Sequence, residues 1–196
     1  MQPLCNQPIE GNRFASPRGC GLESLQIPIR RLCEQDRGAI RDFYLSLSVV
    51  DRHGRFHTVV PDDWIISYVH RMDIAGTMVM GAFCPLTGRL IGLVEACPTE
   101  AQAPRAVEIA VIVKTDWRRL GLGRRLVRKA VRMAFALGMK RAELSVMMDD
   151  SAIIGLIHSL NGIIDPERGL GIFEPREWSN PFRYDQPFSR TALPCC

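Results

Sequence analysis

No uninterrupted apolar run in this 196-residue chain approaches the roughly 20 residues that a membrane-spanning helix needs. No apolar segment of the kind a secretory leader carries lies between Met1 and Gly21, which predicts a cytoplasmic protein without membrane attachment. No CxxC pair occurs among the seven cysteines, at 5, 20, 33, 84, 97, 195 and 196; an odd, unpaired set fits neither a disulfide framework nor a zinc site, so no metal is expected. Cys84 and Cys97 lie in apolar runs and read as core thiols. Lysine is scarce: arginine supplies 22 of the 25 basic residues. The glycines include no complete GxGxxG and no GK[ST], which argues against a dinucleotide fingerprint and a nucleotide P-loop.

What is present is one core's worth of apolar residues, 46% of the chain, and a local concentration of charge. Eight basic side chains fall between Lys114 and Arg132, with Asp116 as the one acid among them. Such a stretch can mark a nucleic-acid patch, a site for a phosphorylated ligand, or a solvated helix face. No RNP-like aromatic motif or helix-turn-helix pattern supports the first.

Residues 1–22 lack periodicity and read as an irregular extension, residues 23–175 as a single domain, and residues 176–196 as an irregular tail. Alternation over Leu25–Leu32 predicts a first strand, at an edge because of Pro28. Asp36 caps a helix whose apolar face is Ile40, Phe43, Tyr44 and Leu47. Asp51–Thr58 reads as a loop, and a second helix starting near Pro61 carries Trp64, Ile65, Tyr68 and Val69. Two strands, Thr77–Cys84 and Arg89–Cys97, flank the turn Pro85–Gly88. Glu95, on the second of them, either lines an acceptor cleft or faces solvent, and solvent is the favoured expectation. Ala106–Val113 is apolar except for Glu108 and reads as a central strand buried on both faces. Gly121–Leu137 has helical period, with Leu122, Leu126, Ala130, Ala134 and Leu137 as its apolar stripe, Arg125, Arg128, Lys129 and Arg132 opposite, and Gly138 as its stop. A strand at Arg141–Met147, with Met147 and Met148 in the core, and a helix opened by Asp150 and closed at Asn161-Gly162 follow, then weak strands near Ile163 and Leu170–Glu174. The fold class is thus α/β (α+β): a mixed sheet with helices on its faces.

Chemistry concentrates where the strand ending at Val113 meets the helix after Gly121. Gly121 and Gly123 let the backbone approach a ligand without a Cβ in the way. Free N–H groups at a helix start, together with the positive end of the helix dipole, make an anion site. Arg118, Arg119 and Arg124 can add charge-assisted hydrogen bonds to a diphosphate.

Arg118-Arg119-Leu120-Gly121-Leu122-Gly123 matches the Q/R-x-x-G-x-G/A signature of the GNAT acyltransferases, and the chain resembles that superfamily from about Leu25 to about Glu174. The resemblance implies the GNAT fold: a central, mostly antiparallel mixed sheet flanked by about four helices. It further implies acetyl-CoA as co-substrate, its diphosphate on the N–H groups of Arg119–Arg124, its pantetheine arm paired like a strand with Val111, Ile112 and Val113, and Asp150 beside the cofactor at the start of the last helix. Val107-Glu108 through Arg118, and Asp42-Phe43-Tyr44 through Ser48 followed by Arg52 and Arg55-Phe56, resemble the GNAT domain of bacterial Pat-type protein lysine acetyltransferases. A homodimer is compatible with the resemblance.

Acyl transfer to an amine needs a neutral nucleophile, whereas a lysine amine with a pKa of about 10.4 is protonated at neutral pH. A general base is therefore expected. Glu108, the acid in a buried-looking strand, has the right chemistry, and desolvation there would raise its pKa; the Pat-type resemblance implies the same residue. The alternative is that it pairs with a neighbour such as Arg105 or is exposed by a bulge. Many GNAT enzymes protonate the leaving thiolate with a tyrosine seven residues after an asparagine. Here Asp150 and Ile157 stand at those two positions, and His158, about 100° further round the helix, reads as a surface residue. The acceptor, whether a protein lysine, a protein terminus or a small amine, is not encoded in any motif. A CoA-binding regulatory module without turnover is the second reading.

Overall fold

The computed structural model describes residues 26–99, 105–147 and 150–178. Strand β1 (Ile29–Arg31) leads into α1 (Arg37–Leu45), α2 (Val49–Phe56) and α3 (Asp62–Arg71), followed by β2 (Met78–Phe83), β3 (Leu90–Thr99) and β4 (Ala106–Val113). After these come α4 (Leu122–Ala136), β5 (Arg141–Ser145), α5 (Ser151–Ser159), β6 (Ile163–Asp165), β7 (Leu170–Phe173) and the single turn α6 (Pro175–Trp178). The seven strands form one sheet in the order β1-β2-β3-β4-β5-β7-β6. Every pairing is antiparallel except β4 with β5. This is the mixed, mostly antiparallel sheet that the sequence predicts, with β1 at the edge as Pro28 requires.

Strand alternation divides the apolar side chains between two layers. On one face α4 lays Leu122, Leu126, Val127, Ala130, Val131 and Ala134 against Val94, Ala96, Val107 and Ile109. On the other, α1 and α3 pack Ile40, Phe43, Tyr44, Ile65 and Val69 against Val79, Leu93 and Ile112. Burying each Leu or Ile side chain contributes about 1.5–3 kcal/mol, so both layers are needed to hold the sheet.

Several expectations are corrected. Asp51–Thr58 is not a loop: helix α2 runs through it, because Ser48 Oγ accepts the Asp51 N–H (3.1 Å) and His57, at φ 57°, closes the other end. Asp36 precedes α1 as expected but makes no side-chain cap there; its carboxylate instead accepts the Cys33 N–H (3.0 Å) and both Nη groups of Arg30 (2.8 and 2.7 Å). Cys84 is buried, but Cys97 is exposed. Leu137 and Met147 are exposed rather than core, since each lies just past the end of its element. Met148 lies outside the described residues, as do Cys5, Cys20, Cys195 and Cys196, the 1–22 extension and all but the first three residues of the 176–196 tail. Those three fall in α6 or at its end, so the chain is not irregular immediately after Pro175. With α2 and α6 the described helices outnumber the expected four. None of them is long and apolar enough to cross a membrane.

Candidate active site

Strands β4 and β5 part company. Their parallel pairing runs from Ala106–Arg141 to Ile109–Leu144 and stops, while β4 continues to Val113. On its other side β4 stays paired with β3 to its last residue, Gly92 opposite Val113. Lys114 N–H donates to Ile91 O (2.9 Å), so in this ladder residues 112 and 114 turn their backbone groups toward β3. Val111 and Val113 then turn theirs toward the gap. Val113 O is taken by Arg118 Nε (2.9 Å). Val111 N–H, Val111 C=O and Val113 N–H remain as a short open edge, while Ile112 is committed to β3.

The turn beyond β4 presents more donors. Arg119 and Gly121 both have positive φ, 66° and 70°. Gly121 precedes α4, and the first helical hydrogen bond there runs from Arg125 N–H to Gly121 O (3.1 Å). The N–H groups of Arg119 to Arg124 consequently have no acceptor among the described residues. A Cβ at Gly121 would meet nothing within 4 Å, so the space in front of the turn is open. At Gly123 a Cβ would stand 3.3 Å from Leu156 Cδ1, a tight contact, so a small residue suits the close approach of α5.

Open edge and turn share one cleft of about 1010 Å³. Residues of α2 form its other wall, Asp150 and the first turns of α5 its end, and Glu108 lies on its floor. Asp150 Oδ1 caps α5 by accepting the N–H groups of Ala152 (3.0 Å) and Ile153 (3.1 Å). Arg118 binds inward rather than outward: besides Val113 O it holds the buried Asp51 carboxylate (2.5 Å), to which Thr115 Oγ1 also donates (3.2 Å). The α2 wall is thereby fastened to the turn.

Glu108 is not buried. The apolar layer beneath the three N-terminal helices takes in β2 and β3 but on β4 only Ile112, and Glu108 is exposed. The burial expected for it is absent. Glu95, expected in solvent, is the buried acid, only 2% exposed. It faces the same side of the sheet as Leu93, beneath α1, α2 and α3. There its carboxylate accepts hydrogen bonds from Tyr44 Oη, Tyr68 Oη (2.6 Å) and Arg55 Nη2 (2.8 Å). Burial, then the Glu95 carboxylate, holds both phenols protonated well above their ordinary range. Burial works against the Arg55 charge, but Glu95 and the tyrosines outweigh it. Trp64 stacks on Tyr68 (8° between planes, 5.2 Å between centroids) and closes the cluster on the outside. The sequence carried a signal of the same kind: Glu95 is the one charged residue from Leu90 to Cys97, as Glu108 is from Ala106 to Val113. On α5, Ile157 is fully buried and His158 exposed, so neither offers a proton to the cleft.

The family model described as Acetyltransferase (GNAT) family matches residues 39–162. A search of the curated proteins gave no match. Among solved structures the chain is similar to the GNAT domain of PAT from S. lividans, with 19% identity and a TM-score of 0.61 over 74% of this chain and 89% of that one. It is also similar to yncA from Salmonella typhimurium, solved with its cofactor acetyl-CoA: 18% identity, TM-score 0.57, 88% of this chain and 100% of that one. A third is a spermidine N-acetyltransferase SpeG chimera from Vibrio cholerae and hSSAT: 17% identity, TM-score 0.57, 79% and 100%.

Proposed function

The chain belongs to the acetyltransferase (GNAT) family, and from that premise we propose that it moves an acetyl group from acetyl-CoA directly to a primary amine, with Glu108 as general base. The observation that carries this reading is the continuity of one cleft: the donor-rich turn 119–124, the open β4 edge and an exposed carboxylate lie along it in that order. In this reading the CoA diphosphate sits on the turn and the pantetheine arm pairs with Val111 and the N–H of Val113. The thioester then reaches the level of Ala110, where β4 and β5 have separated. Glu108, two residues further along the strand on the same face, takes the proton of the incoming amine, directly or through one water. Its exposure suits an acceptor that arrives from solvent. Arg118 serves by holding the turn and α2 together, and Asp150 by fixing the start of α5. The Pat-type motif resemblance and the likeness to a spermidine N-acetyltransferase chimera make a protein lysine and spermidine the first acceptors to try.

The test is release of free CoA thiol from acetyl-CoA in the presence of an amine and lysine-peptide panel. Turnover with at least one primary amine is expected, and Glu108→Gln should lower kcat by about 10²- to 10⁴-fold while leaving acetyl-CoA affinity nearly unchanged. Wild-type turnover in Glu108→Gln would make the residue structural. Binding of acetyl-CoA without turnover across the panel would favour the regulatory-module reading.

A further inference from the structure

The family's tyrosine acid has no counterpart on α5, yet the departing sulfur of CoA develops a full negative charge inside the cleft. A donor for it stands on the opposite wall. Arg55 lines the cleft from α2, with a side chain only 13% exposed. Its hydrogen bonds, to Glu95 (2.8 Å) and Tyr68 (3.2 Å), both leave from Nη2. Nε is buried without an acceptor, and Nη1 has none among the described residues. Glu95, which anchors this guanidinium, is the cross-strand partner of Ala110, the residue where the open edge of β4 begins. Only a methyl group rises from residue 110 on that face. Glu108 follows on the same face, about 7 Å along the strand at about 3.4 Å per residue.

We propose that Arg55 is a second catalytic residue, whose Nη1 group, unlike the enclosed Nε, is accessible and donates a hydrogen bond to the CoA sulfur as it leaves. This rests on the transferase reading above and extends it. The amine lone pair attacks the thioester carbon, and the C=O π pair moves to oxygen. The nitrogen gives a proton to Glu108. As C=O re-forms, the C–S bond breaks and its electron pair goes to sulfur, which Arg55 stabilises while keeping its own protons. The thiolate takes a proton from water on release. Glu95 balances the guanidinium charge in the resting cleft, so the site is preorganised for an anion that exists only late in the reaction. The exposed acid Glu108 on the same face makes an anionic acceptor a poor alternative occupant.

The test titrates the thiol of bound CoA by its ultraviolet thiolate absorbance. Bound to the wild type, that thiol should ionise about 1–3 pH units below free CoA, as expected beside a fixed cation. In Arg55→Met the depression should vanish and kcat should fall about 10²- to 10³-fold, with acetyl-CoA affinity little changed. Because the single variant strands the Glu95 charge, Arg55→Met/Glu95→Leu, which removes both charges, is measured beside it. A bound thiol that titrates in either folded variant as it does in the wild type overturns the assignment of Arg55. Wild-type protein that fails to bind CoA at all brings down the transferase reading, and this role with it.

Discussion

Replacing Glu95 by alanine should unfold a large fraction of this protein's stability margin. The substitution strands the Arg55 guanidinium in a wall where its side chain is 13% exposed, and it leaves the Tyr44 and Tyr68 hydroxyls without their acceptor. Removing one member of a buried ion pair typically costs about 3–5 kcal/mol. Each unsatisfied hydroxyl adds up to about 1–3 kcal/mol. These contributions do not add, because the phenols share one acceptor with the guanidinium and can rotate toward the space the carboxylate leaves. About 3–5 kcal/mol is therefore the expected total, against a typical folding free energy of about 5–15 kcal/mol. The double replacement Arg55→Met/Glu95→Leu should recover most of the loss, since apolar residues of similar volume replace a buried pair at little or no cost. Urea unfolding followed by far-ultraviolet circular dichroism gives both numbers. A loss below about 1 kcal/mol for Glu95→Ala, or a double variant as unstable as the single, would refute the claim that this cluster is a buried, mutually satisfied ion pair.

Gly121→Asp should abolish acetyl-CoA binding in calorimetric titration, because it puts a carboxylate where the diphosphate would lie and forces a left-handed φ of 70° on a residue with a side chain; unchanged affinity in the folded variant removes the turn from the site. Asp36 is held down at about 2, against an ordinary 3.8, mainly by its hydrogen bonds from Arg30. A depressed acid contributes stability that is fully present above its unfolded value and lost as the pH falls through the folded one, so wild type should lose stability between about pH 4 and pH 2 in a step that Asp36→Asn lacks. Identical acid-unfolding curves for the two would show that the pair contributes nothing.

What the sequence made legible was contiguous. The turn from Arg118 to Arg124 is read from neighbouring residues: two glycines, a strand ending before them and an amphipathic helix starting after them. The backbone N–H groups follow from that order alone. Strand β4 and the boundaries of α4 came out within a residue for the same reason, since an eight-residue apolar strand and a fifteen-residue helix carry their periods internally. Helix α2 did not, because its apolar positions are few and its signal is a cap, Ser48 to Asp51, that looks like any polar turn in sequence.

The acid on the wrong side of the prediction shows where such reading fails. Glu108 and Glu95 are each a single carboxylate in an apolar strand, and nothing local tells which is buried. That is settled by how far α1, α2 and α3 extend across the sheet. Glu95 meets its donors at separations of 51, 40 and 27 residues, one from each helix. Those helices close the face over Glu95 on β3, whereas on β4 it opens into the cleft at Ala110 and is exposed at Glu108. A carboxylate under the closed part is locked by three donors and is unsuited to collecting a proton from a solvent-borne amine; one just past the rim is suited to it. The rim of the helical layer thus separates the acid that organises the wall from the exposed acid proposed as the base, and Arg55, anchored by the first and bordering the cleft of the second, lies between them.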